Sequence, residues 1–108
     1  MNKSLVIIES PYAGEVKRNE TYARRCMKDS LLRGEAPFVS HLLYTQVLDD
    51  TKKKQRKMGM EAGFEFIYHS DYSAVYEDYG ISDGMREGVK IAMEIGHGVE
   101  YRRIGKNE

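Results

Sequence analysis

Leu5-Val6-Ile7-Ile8-Glu9-Ser10-Pro11-Tyr12-Ala13-Gly14 is the stretch on which the fold turns. Leu5 to Ile8 are four consecutive large apolar residues, three of them β-branched, which reads as a short strand covered on both faces. Pro11 cannot donate to a sheet ladder, so the strand ends before it, and Ser10 is pushed to an extended conformation. Ala13 and Gly14 then form a small-residue loop that leaves room near the backbone. A helix is expected from Asn19, about five residues later. A buried strand that feeds a short loop and a helix N-terminus is a place where phosphate or sugar groups are held. The same residues also read as no more than a tight strand-to-helix turn.

The 108 residues suit one domain, 1–108, with a modest core. Lys plus Arg is 17 and Asp plus Glu is 17, so a global basic field for nucleic acid is absent and nucleic acid is not an expected partner. No apolar run approaches a membrane span, and Met1-Asn2-Lys3-Ser4 lacks the layout of a signal peptide. The single Cys26 has no internal partner, which suits a reducing, cytoplasmic setting. It lies on an apolar stripe and reads as a small buried hydrophobe.

Beyond the opening stretch, Asn19 is the expected N-cap of helix one, about residues 19–33, with Gly34 ending it. Residues 36–40 read as a short strand running into His41-Leu42-Leu43-Tyr44. His41 is either structural or a partner for a ligand hydroxyl or phosphate. Asp49 and Asp50 cap the next helix or contact a ribose diol. Helix two, residues 51–69, opens with the basic run Lys52-Lys53-Lys54-Gln55-Arg56-Lys57, a solvated face that also suits an anion. Its buried stripe is Met58, Ala62, Phe66 and Ile67, with Gly59 and Gly63 permitting close packing, and Glu61 and Glu65 on the surface. Residues 72–76 form strand three. Ser82 or Asp83 caps helix three, whose buried face is Met85, Val89, Ala92, Met93 and Gly96. Residues 99–104 alternate as a last strand, and the tail from Gly105 to Glu108 is expected to fray.

Strands alternating with helices predict an α/β three-layer sandwich, with a four-stranded parallel sheet and right-handed crossovers. The most apolar strand belongs in the centre, which gives the flavodoxin-like order 2-1-3-4 and a ligand crevice at the carboxyl ends of strands one and three. No dinucleotide fingerprint, Walker loop or Cys/His ligand cluster is present, so neither cofactor nor metal is expected. What remains, in chain order, is Ser10-Pro11-Tyr12-Ala13-Gly14, Asn19, His41-Leu42-Leu43-Tyr44 and Ile81-Ser82-Asp83-Gly84-Met85.

Taken together, these segments resemble the nucleoside 2-deoxyribosyltransferase-like superfamily, in its small bacterial and phage branch. The resemblance covers nearly the whole chain, and its motifs are moderately specific as a set and weak singly. It implies a pocket for a nucleoside or nucleotide, lined by Ser10, Pro11, Tyr12, Ala13, Gly14, Asn19, His41, Tyr44, Asp49, Ser82, Asp83, Gly84 and Met85. It also implies a homo-oligomer in which a neighbour closes the pocket. Active members of the family cleave N-glycosidic bonds with a Glu on the helix after strand three. That Glu falls four residues after the motif glycine, and counting from Gly84 reaches Gly88. Glu87 is adjacent but points about 100° away on a helix. The missing side chain at Gly88 favours the first of two functions, and the second stands as its alternative. One is a protein that holds its ligand intact, such as a phage-type protein that sequesters or senses a signalling nucleotide. The other is an N-glycosidase or 2-deoxyribosyltransferase, with Glu87 or one of Asp49, Asp50 and Asp83 in the carboxylate role.

Overall fold

The computed structural model describes residues 2–106. The elements are β1 (Leu5–Glu9), α1 (Val16–Leu32), β2 (Ala36–Phe38), α2 (Ser40–Leu43), α3 (Lys53–Ile67), β3 (Tyr72–Tyr76), α4 (Asp83–Glu94) and β4 (Gly98–Arg102), with a 3₁₀ turn at Tyr44–Gln46. All strand pairings are parallel, in the order β2-β1-β3-β4, so β1 is interior as its apolar run requires.

The period-two alternation of β1 divides the core. Val6 and Ile8 face α1 and pack with Tyr22, Ala23, Cys26, Val39, Ala74 and Tyr76. Ile7 faces the other way and packs with Ile67 of α3 and Ala92 of α4. By the same parity Glu9 follows Ile7 onto the α3–α4 side.

Several expected boundaries move, each for a local reason. Helix α1 starts at Val16, so Asn19 is not its cap. The Asn19 side chain instead points into the protein, fully buried. The end of α1 is as expected: Gly34 has φ +86°, and its N–H and that of Glu35 donate to Leu31 and Ser30 carbonyls. Strand β2 stops at Phe38, and Ser40–Leu43 turn into a short helix that carries His41. Neither Asp49 nor Asp50 caps α3, which follows Lys52; Asp49 Oδ1 accepts from the N–H and hydroxyl of Thr51 instead. Met58, Phe66, Met93 and Gly96, expected on buried stripes, are exposed; Phe66 and Met93 lie about 100° round their helices from Ile67 and Ala92, which pack on Ile7 of the sheet.

Strand β4 is shifted to Gly98–Arg102. Gly105 does not fray: its N–H donates to Asp78 Oδ1 and its carbonyl accepts from Arg25. Residues 107 and 108 of the expected frayed tail, and Met1, lie outside the described residues. No helix among the described residues is long and apolar enough to cross a membrane.

Candidate functional site

A cavity of about 290 Å³ opens at the carboxyl end of β1, between α2, α3 and the start of α4. Its volume is at the small end of ligand pockets. The position follows from topology, because chain reversals at the carboxyl ends of parallel strands leave their loops to line a crevice.

Three segments supply most of the polar lining, with Glu9 at the end of β1 and Asp50, Gln55 and Arg56 before and at the start of α3 adding to it. From the loop after β1 come Ser10, Tyr12 and Ala13, and from α2 and the turn after it come His41, Tyr44 and Thr45. The third segment is Ser82-Asp83-Gly84-Met85 at the start of α4. Ser10 Oγ and His41 Nε2 share a hydrogen bond of 2.7 Å, whose direction follows the imidazole tautomer. Burial pushes His41 down to about 4, so the ring is neutral at pH 7. Ser82 caps α4, with its Oγ accepting from Met85 N–H at 3.3 Å. The N–H groups of Asp83 and Gly84, in the first turn, have no intrahelical acceptor, and both residues line the cavity. Arg56, from the basic run, is the one permanent cation among the described lining residues.

Other expected contacts stand apart from the cavity wall. Asn19 does not line it; its Nδ2 donates to the carbonyls of Tyr12 (2.9 Å) and Ala13 (3.1 Å) and so holds the loop from behind. Pro11, Gly14 and Asp49 are also outside the lining, whereas Asp50 is within it. Glu87 is exposed on α4 and outside the lining.

Two glycines shape the wall. A Cβ at Gly63 would meet Ser40 Oγ at 2.8 Å, so α2 can approach α3 only because that side chain is missing. A Cβ at Gly88 would meet Glu9 Oε2 at 2.1 Å, so the Glu9 carboxyl occupies the space that a side chain at position 88 would fill.

Glu9 lines the cavity beside Ile7 and Met85. None of the hydrogen bonds or ion pairs among the described residues reaches its carboxyl, and desolvation alone raises it to about 8. Sequence reasoning quoted Glu9 but assigned it nothing. The available signal was parity: a carboxylate two residues after Ile7, ending a strand buried on both faces, must enter the α3–α4 side. Among the described residues no cluster of three or more His, Cys, Asp or Glu could hold a metal ion.

A search of curated proteins returns no match. Among solved structures, the chain is similar to the 2-deoxyribosyltransferase of the psychrotolerant bacterium Bacillus psychrosaccharolyticus, with 14% identity and a TM-score of 0.64. The match covers 97% of this chain and 76% of that one. At that identity the likeness shows a shared fold. A family model matches residues 4–102, and the chain therefore belongs to the family described as "Domain of unknown function (DUF7768)".

Proposed function

We propose that the cavity binds a nucleoside- or nucleotide-derived small molecule. The observation that carries this reading is the convergence of the Ser10–Ala13 loop, His41 with Tyr44, and the start of α4 on one crevice beyond β1. Such a crevice offers the features a nucleotide needs: aromatic surface from Tyr12 and Tyr44, hydroxyl partners in Ser10 and Ser82, and free N–H groups at a helix start. Arg56 suits a phosphate on the ligand. The fold shared with a 2-deoxyribosyltransferase, described as a biocatalyst for nucleoside synthesis, agrees with this ligand class.

A holding role, including the sequestering of a signalling nucleotide, followed from the lack of a carboxyl at Gly88. Glu9 puts a carboxyl into that space, so this ground no longer favours holding over chemistry. A homo-oligomer in which a second copy covers the exposed Leu43, Val47 and Met58, each next in the chain to a lining residue, belongs to the same proposal.

The test is calorimetric titration with the common nucleosides, 2′-deoxynucleosides and their 5′-monophosphates. At least one is expected to bind, and His41→Ala to weaken it roughly tenfold, the worth of one good hydrogen bond. Absence of binding across the panel would remove the reading.

A further inference from the structure

We propose that the Glu9 carboxyl is the reacting group of this cavity, attacking the sugar carbon of a bound nucleoside or nucleotide and releasing the base. This rests on the reading that the cavity takes such a ligand.

Two locally unfavourable choices meet at one point. Gly88 sits in the middle of α4, where glycine is a poor helix former, and it is buried, so helix stability does not explain it. Glu9 ends an apolar strand, and its carboxyl shares the cavity wall with the apolar Ile7, Phe64, Ile67 and Met85 and has no hydrogen-bond or ion-pair partner among the described residues. Each choice makes sense through the other: the missing side chain at 88 is the room that the carboxyl uses. An ion pair would have satisfied a structural carboxyl, as Arg102 does for Glu35. An unpartnered one that lines a ligand-sized cavity is left for a ligand. Glu87 cannot serve, since it lies on the exposed face of the same helix.

The chemistry that a lone carboxyl offers a nucleoside is displacement at C1′. A carboxylate oxygen forms a bond to C1′ as the C1′–N bond breaks. The bonding pair leaves with the base, which takes a proton from solvent. Water then attacks C1′, the ester electrons return to Glu9, and a proton goes back to solvent. The titratable and charged groups that share the cavity are Asp50 and Arg56 on the α3 side, His41 on α2, Asp83 at the start of α4, and Tyr12 and Tyr44. Desolvation keeps Glu9 protonated until about pH 8, whereas His41 is already neutral above about 4. The rate is therefore expected to rise with pH and level off above about 8.

The experiment follows base release from the same nucleosides and monophosphates by chromatography, with affinity measured alongside. Wild type is expected to release base from at least one of them. Glu9→Gln, which keeps the shape, should slow release by about a thousandfold or more while affinity stays within about threefold. Gly88→Ala should slow release at least tenfold, because its Cβ displaces the carboxyl. Proteolysis of quenched reactions should yield the Glu9 peptide with an added sugar mass. Binding without base release, or release by Glu9→Gln at the wild-type rate, would overturn the proposal and leave the binding reading intact. Failure of every ligand to bind would instead remove the binding reading itself.

Discussion

Glu9 is the residue at which stability and chemistry pull in opposite directions. Its folded-state value, about 8, lies above the ordinary 4.5, so the native protein binds this proton more tightly than the unfolded chain. The stability tied to that proton is complete below about pH 4.5 and is lost as pH rises through 8. Glu9→Gln removes the dependence. Glu9 is only partly buried at the cavity wall, which reduces the effect to about 1–2 kcal/mol, or roughly 4–12 °C in melting temperature for a domain of this size. The variant is expected to melt above wild type at pH 8, with the gap closing toward pH 5. Calorimetry across that range checks it, and a gap that does not change with pH would contradict the burial of this group. His41 has the opposite sign. Its value is depressed to about 4, so its contribution is present above about 6.5 and fades as pH falls through 4.

At the scale of elements, the site depends on how closely short segments can approach. Helix α2 is only four residues long and has no side-chain cap, so its own hydrogen bonding cannot hold His41 in place. Contact with α3 at Gly63 positions it, and a Cβ there would crowd both Ser40 Oγ and Ser40 Cβ at 2.8 and 2.9 Å. Gly63→Ala should therefore push α2 outward and lengthen the Ser10–His41 hydrogen bond. The expected result is a loss of ligand affinity of about tenfold or more. Helix propensity gains about 1 kcal/mol from the same change, so global stability falls little. Titration calorimetry together with thermal melting separates the two effects, and unchanged affinity would show that α2 is not held by this contact. The loop after β1 is positioned by a comparable device, Asn19 bridging two of its carbonyls from the second turn of α1.

At the scale of the molecule, a buried polar network ties the two edges of the sheet together. Arg102 at the end of β4 makes a two-pronged contact with Glu35, which precedes β2, at 2.9 and 2.6 Å. Ser30 and Tyr72 hydroxyls also donate to Glu35, and Arg102 donates to the Tyr76 hydroxyl, which donates to Asp29. The Arg102 guanidinium, first among these partners, holds the Glu35 carboxyl down at about 2. Arg102→Ala leaves a buried carboxylate without its counter-charge, which costs about 3–5 kcal/mol. Urea unfolding should show that loss at pH 7 with the binding cavity still formed at low denaturant. A change below about 1 kcal/mol would mean that Glu35 finds water instead. The network lies on the α1 side of the sheet, away from Glu9, so its role is to hold the frame.

Local pattern was enough for the parallel sheet, its order and the interior place of β1, because hydrophobic runs and turn residues are written in consecutive positions. Leu5 to Ile8 need only be apolar on both faces to demand covering layers, and Gly34 needs only a positive φ to end a helix. The same logic pointed to Ser10, Tyr12, His41, Tyr44 and Ser82, since strand ends and helix starts can be counted along the chain. It could not separate Asn19, which braces the loop, from the residues that face the cavity, because that depends on which way a buried side chain turns. Nor could it pair Glu9 with Gly88. They stand 79 positions apart in the sequence, and the chain itself records only a carboxylate on a strand and a glycine on a helix. Only when α4 packs across the end of β1 do the two share one space, and that packing puts the unpartnered carboxyl at the wall of the cavity.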